Sequence, residues 1–272
     1  MLNPEEGHIF CFNKPYTMTS FRLVSKVRGI LCHKLGIKKL RVGHAGTLDP
    51  LATGVLIVCT GKATKQIDQI QASTKEYVAT LKLGATTPSY DMETEEDATY
   101  PIDHITREKV EDVLQQFQGT IEQVPPVFSA VKVDGKPAYK MARKGKDVKM
   151  KTKTLVIDEI ELLSYDIQDD AKSEKPQAIK IKHADPEEAL KMSDMSGQPT
   201  ITLRIVCSKG TYIRALARDI GEALGSGAYL TSLTRTRVGD YRIQDALDIN
   251  EFEDIVECRE SRVDISLRSN EE

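Results

Sequence analysis

The sequence predicts a mixed α+β fold, with a mainly antiparallel sheet and flanking helices. Three observations point to it. Stretches with strand patterning outnumber those with helical patterning. The two kinds do not alternate regularly, as a doubly wound parallel sheet would require. Hydrophobic residues make up 40 % of the 272, enough for a substantial core in one large domain or one domain with additions.

In chain order, His8 to Asn13 has the composition of a short strand. Ser20 is placed to cap a helix whose apolar residues Leu23, Val24, Val27, Ile30 and Leu31 share one face, and Gly36 to close it. Val55 to Cys59 is apolar throughout, the pattern of a strand buried on both faces. Tyr77, Ala79, Leu81 and Leu83 alternate with Val78, Thr80 and Lys82, which predicts a half-buried strand. Thr106 can cap a helix presenting Val110, Val113, Leu114 and Phe117, with Gly119 just beyond. Phe128 to Val133 is expected to be a strand meeting a turn at Asp134-Gly135. Thr154 to Tyr165 and Thr200 to Cys207 are two further strands, well placed to pair through a short connection. Thr211 then caps a helix whose face is Ile213, Leu216, Ala217, Ile220 and Leu224, with Tyr212 and Arg214 beside that stripe.

Residues 166–199 break the pattern. They are rich in Asp, Glu, Lys, Gln and Ser and have no clear period, so a solvated insertion is expected, with one short helix near Pro186 to Met192. After Ile249 the chain is acidic and weakly patterned. The expected organisation is one domain over residues 1–250 and an acidic tail over 251–272.

Composition narrows the function classes. No apolar run is long enough to span a membrane, and the polar, acidic N-terminus is not that of a secretory signal, so a cytoplasmic location is expected. Cys11, Cys32, Cys59, Cys207 and Cys258 are scattered, odd in number and lack a C-x-x-C pair, which points to reduced thiols. His8, His33, His44, His104 and His183 lack ligand spacing, so no metal is expected. Gly54 to Thr64 superficially resembles a phosphate-binding loop. Six residues rather than four separate its glycines, Ala63 follows Lys62, and the interval is strand-like. Neither a nucleotide nor any other cofactor is expected.

The net charge is only −3, but it is segregated. Residues 1–65 hold ten Lys/Arg against three Asp/Glu, and residues 130–154 nine against two. Residues 91–112 hold two against nine, and residues 240–272 four against eleven. Such segregation can give an acidic protein a basic face for a polyanion.

Arg41 to Gly54 is the most informative stretch: RVGHAGTLDPLATG. Glycines permit positive φ and close approach by a ligand. Pro50 disfavours helical geometry at Asp49 and stiffens its backbone. A carboxylate on such a rigid loop, at the mouth of a buried strand, is suited to act as a nucleophile or base. A simple Asp-Pro turn would have the same residues. Cys207 to Leu216 (CSKGTYIRAL) ends a strand and starts a helix, where Arg214 could meet a carboxylate bidentately or simply face solvent.

GHAGTLDPLATGVL, KEYVA at Lys75 to Ala79, and CSKGTYIRALARDIG at Cys207 to Gly221 together resemble the three signature blocks of the TruB-type tRNA pseudouridine synthases. Pro125 to Gly145 (PPVFSAVKVDGKPAYKMARKG) resembles the family segment that grips the T-arm. Phe10 to Ser20 and Ser232 to Gly239 (SLTRTRVG) match the usual start and late strand. The resemblance covers roughly Gly7 to Asp248 apart from the insertion, with its blocks in order.

The resemblance implies a pseudouridine synthase fold and isomerisation of the T-loop uridine at position 55 of tRNA. It implies roles residue by residue. Asp49 is similar to the catalytic aspartate, and Arg214 to the arginine that pairs with it. Tyr77 is similar to the tyrosine that stacks on the target base and takes part in proton transfer. His44 resembles the residue filling the space of the flipped base, and Tyr212 and Leu233 resemble pocket residues. Lys132, Lys136 and Arg143 belong to the stretch that resembles the T-arm grip. The expected partner is tRNA, bound by a monomer without a guide RNA or a membrane. The acidic stretch Ser89 to Asp97 (SYDMETEED) departs from the family pattern, as does the insertion, and no C-terminal RNA-binding (PUA) domain is expected. The rival functions are a tRNA-folding chaperone with secondary catalysis and a guide-dependent synthase.

Overall fold

A computed structural model describes residues 6–129, 131–133, 135–142, 148–167, 195 and 197–257. The strands are β1 (Ile9–Lys14), β2 (Val42–His44), β3 (Ala52–Thr60), β4 (Lys75–Leu83), β5 (Ala85–Thr86), β6 (Ala98–Thr99), β7 (Gly119–Gln123), β8 (Lys132–Val133), β9 (Lys136–Pro137), β10 (Lys153–Asp166), β11 (Thr200–Cys207), β12 (Ala228–Val238) and β13 (Tyr241–Arg242). The helices are α1 (Ser20–Leu35), α2 (Ile67–Ala72), α3 (Arg107–Gln116), α4 (Ala138–Ala142), α5 (Ile213–Ala223) and α6 (Ile249–Glu257).

A nine-stranded sheet runs in the order β1-β3-β12-β4-β11-β10-β7, with β2 added to β3 and β13 to β12. Every pairing in it is antiparallel except β3 with β12. The mixed, mainly antiparallel α+β architecture is therefore the one the patterning predicted. The parallel pair depends on Gly54, which has φ +96 and whose added Cβ would lie 2.2 Å from the Arg235 carbonyl. Only a residue without a side chain lets these two backbones meet.

Helix α1 buries Leu23, Val24, Val27, Ile30 and Leu31 and ends on Gly36 in the left-handed conformation. Its cap is Thr19, which accepts from Arg22 N at 3.1 Å. Ser20, the expected cap, is instead its first residue and bonds elsewhere. Thr106 caps α3 as expected, accepting from Lys109 N at 3.2 Å. Thr211 does not cap α5: Tyr212 holds that position without a side-chain bond, and the Thr211 hydroxyl donates to Ser208 O at 3.0 Å.

Two expectations are corrected. Of the strand expected over Phe128 to Val133, the described part is Lys132–Val133, paired with Lys136–Pro137, and the Phe128 carbonyl is taken by Arg214 at 3.0 Å. The acidic tail expected from residue 251 begins as α6, whose Phe252 lies edge-on to Phe10 and Phe12 at 5.1 Å each. The boundary at residue 250 thus falls inside a helix that belongs to the core. Residues 258–272 and most of the insertion, including the expected helix near Pro186 to Met192, lie outside the described residues. No described helix is long and apolar enough to cross a membrane.

Candidate active site

Asp49 stands on the loop joining β2 to β3, and three elements tie that loop down. Ser20, at the start of α1, donates to Leu48 O at 3.0 Å and accepts from Leu48 N at 2.9 Å. Lys14, at the end of β1, donates to Pro50 O at 3.2 Å. Arg235, on β12, donates to Gly46 O at 3.0 Å and to Val55 O at 2.8 Å. The backbone on both sides of Asp49 is therefore fixed, while its side chain remains 37 % exposed.

The carboxylate meets Arg214 from the first turn of α5 in a two-pronged pair. Arg214 Nε lies 2.9 Å from Oδ2 and Nη2 lies 3.2 Å from Oδ1. The other donors are also used: Nη1 goes to Ser89 O at 3.1 Å and Nη2 also to Phe128 O at 3.0 Å. A second carboxylate, Asp91, lies 3.5 Å from Nε. Arg214 was expected beside the apolar stripe, yet its side chain is 5 % exposed. Burial alone would lower its pKa, but Asp49 and Asp91 outweigh burial and raise it. Burial pushes the Asp91 carboxyl up to about 6, with Arg214 only partly opposing.

Asp49, Arg214 and Leu233 line one open cleft with Leu51, Ala52 and Met92. Leu233 faces Ala52 across the parallel pair. Tyr77 sits between Ile205 and Arg235 in strand register and is buried. Burial raises its phenol pKa, opposed by the charge and hydrogen bonding of Arg235. His44 is half-buried, and burial followed by Arg235 lowers its pKa, so the imidazole is neutral at neutral pH. Its buried Nδ1 has no hydrogen-bond partner among the described residues. Tyr212 is fixed through its backbone, where Gln123 accepts from its N–H at 2.9 Å and donates to its carbonyl at 3.2 Å. Burial raises the Tyr212 phenol pKa, and the charge of Asp49 acts in the same direction.

The basic residues expected to grip RNA are only partly placed. Lys136 is exposed on β9, Lys132 lies in β8 with only its backbone described, and Arg143 lies outside the described residues. No cluster among the described residues could hold a metal ion.

Three site residues escaped sequence reasoning: Asp91, Arg235 and Lys14. Asp91 was hidden in the acidic stretch, where a solvated carboxylate is the ordinary expectation. Arg235 lies in the late-strand block and is 2 % exposed. Lys14 had a usable signal, because Phe10, Phe12 and Lys14 alternate onto the same buried face of β1. Burial lowers the Lys14 ammonium to about 7, and three backbone carbonyls surround it.

Residues 33–213 match the TruB family pseudouridylate synthase (N terminal domain), and residues 214–269 match the tRNA pseudouridylate synthase B C-terminal domain. A protein of Phocaeicola vulgatus named tRNA pseudouridine synthase B is 57 % identical over 259 residues, covering 95 % of this chain and 97 % of that relative. One of the same name from Flavobacterium johnsoniae is 42 % identical over 257 residues, covering 93 % and 99 %. Among solved structures, a crystal structure of a Cbf5-Nop10-Gar1 complex contains a chain similar to this one, with TM-score 0.60 and 26 % identity. That match covers 92 % of this chain and 54 % of the other, so this chain spans about half its length.

Proposed function

The chain belongs to the TruB family of pseudouridylate synthases and is an isomerase that converts uridine in tRNA to pseudouridine; from that premise we propose that it acts on position 55 of the T-loop, without a guide RNA, and that Asp49 opens the glycosidic bond of a flipped-out uridine. The observation that carries this is the Asp49–Arg214 pair. It presents one exposed carboxylate, held by a buried guanidinium, at an otherwise mostly apolar cleft.

In the reaction the N1–C1′ bond breaks, the uracil turns, and a C5–C1′ bond forms. The C5 proton leaves and N1 takes one up, so atoms and electrons balance without an outside reactant. Extruding the base costs a few kcal/mol, and contact with Leu233, Leu51 and Met92 offsets part of that. Neutral His44 suits the space the base vacates. Tyr77 is buried beside the site; in this proposal its ring stacks on the flipped base and its hydroxyl moves a proton. It is protonated at neutral pH, and Arg235 stabilises the phenolate when the proton moves. Lys132, Lys136 and Arg143 contact T-arm phosphates in this proposal, and the polar stretch 166–199 stays outside the chemistry.

A chaperone would not need a pre-formed carboxylate–guanidinium pair, and the relatives carry the isomerase name. The test uses a bare T-arm hairpin, with the product position mapped. Wild type should convert it, and Asp49→Asn should bind within a few-fold but not turn over. Activity of the Asn variant above about a thousandth of wild type would refute the role of Asp49. Failure on the bare hairpin would count against guide-free action.

A further inference from the structure

The acidic stretch Ser89 to Asp97 supplies two of the groups around Arg214. Ser89 O accepts from Arg214 Nη1 at 3.1 Å and the Asp91 carboxylate lies 3.5 Å from Nε. The segment is tightly folded. Thr87 and Ser89 hydroxyls both donate to Asp91 O, at 2.8 and 3.2 Å. Tyr90 has φ +59, in the left-handed region that favours glycine. Such a conformation persists only where the surroundings over-determine it.

Besides the backbone bond from Leu230 N to Tyr90 O at 3.0 Å, a buried polar cluster fastens this segment to the sheet. Glu96 accepts from Lys82 Nζ on β4 at 2.7 Å and from the Tyr229 hydroxyl on β12 at 2.9 Å. Lys82 and Tyr229 face one another across the strand pair. The Lys82 and Glu96 side chains are 8 % and 3 % exposed. A buried ion pair of this kind seldom adds stability over an apolar pair of the same volume. What it does add is direction, because it holds one carboxylate at one point between two central strands.

We propose that Lys82, Glu96 and Tyr229 are positioning residues for the reaction: they hold the 87–97 segment in place, and the segment holds Arg214 in the orientation that aims Asp49. The inference rests on Asp49 and Arg214 being the reacting pair. A small displacement passed along this chain would be felt at the carboxylate, since misplacement by about 1 Å can cost on the order of a hundredfold in rate.

The test is Lys82→Met combined with Glu96→Leu, which removes both charges and keeps the volume. The variant is assayed as the full chain at saturating and limiting T-arm hairpin, well below its melting temperature. The expected result is a folded protein with kcat reduced about tenfold or more and KM within about threefold, the split that marks lost transition-state geometry rather than lost binding. Glu96→Gln keeps acceptors for Lys82 and Tyr229 and should recover most of kcat. A folded double variant with wild-type kcat overturns the proposal. Should the double variant fail to fold, Tyr229→Phe deletes one hydrogen bond, and an unchanged kcat there is equally decisive against it. Asp49→Asn in the same assay separates the two levels. Activity in that variant refutes the reacting pair itself, whereas a dead Asp49→Asn beside a fully active double variant refutes only the positioning role.

Discussion

Asp91→Asn should make the protein more stable at neutral pH and less active, and the first effect should depend on pH. Burial raises the Asp91 carboxyl from 3.8 to about 6 despite the nearby guanidinium. The folded state therefore binds this proton more tightly than the unfolded chain. Between those two values unfolding free energy falls as pH rises, and above about 6 the loss is complete. At about 1.36 kcal/mol per pH unit the full loss is about 3 kcal/mol. Asparagine has nearly the same shape, can still accept from Glu93 N as Asp91 Oδ1 does at 2.9 Å, and carries no charge to desolvate. The difference in stability, variant minus wild type, should therefore increase with pH by about 1.4 kcal/mol between pH 5 and 7.5. Urea unfolding of both proteins at four pH values in that range measures it, other titrations cancelling in the difference. The same substitution removes a countercharge from Arg214, so kcat on the hairpin should fall about tenfold. A pH-independent difference in stability would refute the burial argument for Asp91.

Tyr77→Phe should lower single-turnover rate by about a hundredfold if the hydroxyl moves a proton; a near-normal rate would leave the ring as the functional part. Replacing Lys132, Lys136 and Arg143 together with Ala should flatten the plot of log affinity against log salt by about two units, and an unchanged slope would exclude this surface from phosphate contact. Gly54→Ala should destabilise the fold by about 3 kcal/mol or more through positive φ and overlap with the Arg235 backbone, read as a fall in the urea midpoint; a shift within error would contradict the close approach of β3 and β12.

Local chemistry was legible in the sequence. The apolar run of β3, the alternation of β4, the Thr106 cap and the Gly36 stop follow from short-range rules, and all stand in the structure. Asp49 was legible for the same reason, since the glycines and Pro50 around it shape the backbone within a few residues. The pairing of Asp49 with Arg214 crosses 165 positions, and only the family resemblance suggested it.

Burial of charge was decided by tertiary structure. Lys82, Glu96, Asp91 and Arg235 have the composition of a solvated surface, and nothing near them in sequence says otherwise. They are buried because strands far apart in the chain bring their carbonyls and countercharges together, and that assembly meets the cost of removing each charge from water. The choice between Thr19 and Ser20 as helix cap shows the same division on a small scale. Both hydroxyls suit a cap, and the sequence contains no preference between them. Ser20 instead bonds the Leu48 backbone, 28 positions away, because only in the folded chain does the Asp49 loop lie beside the start of α1.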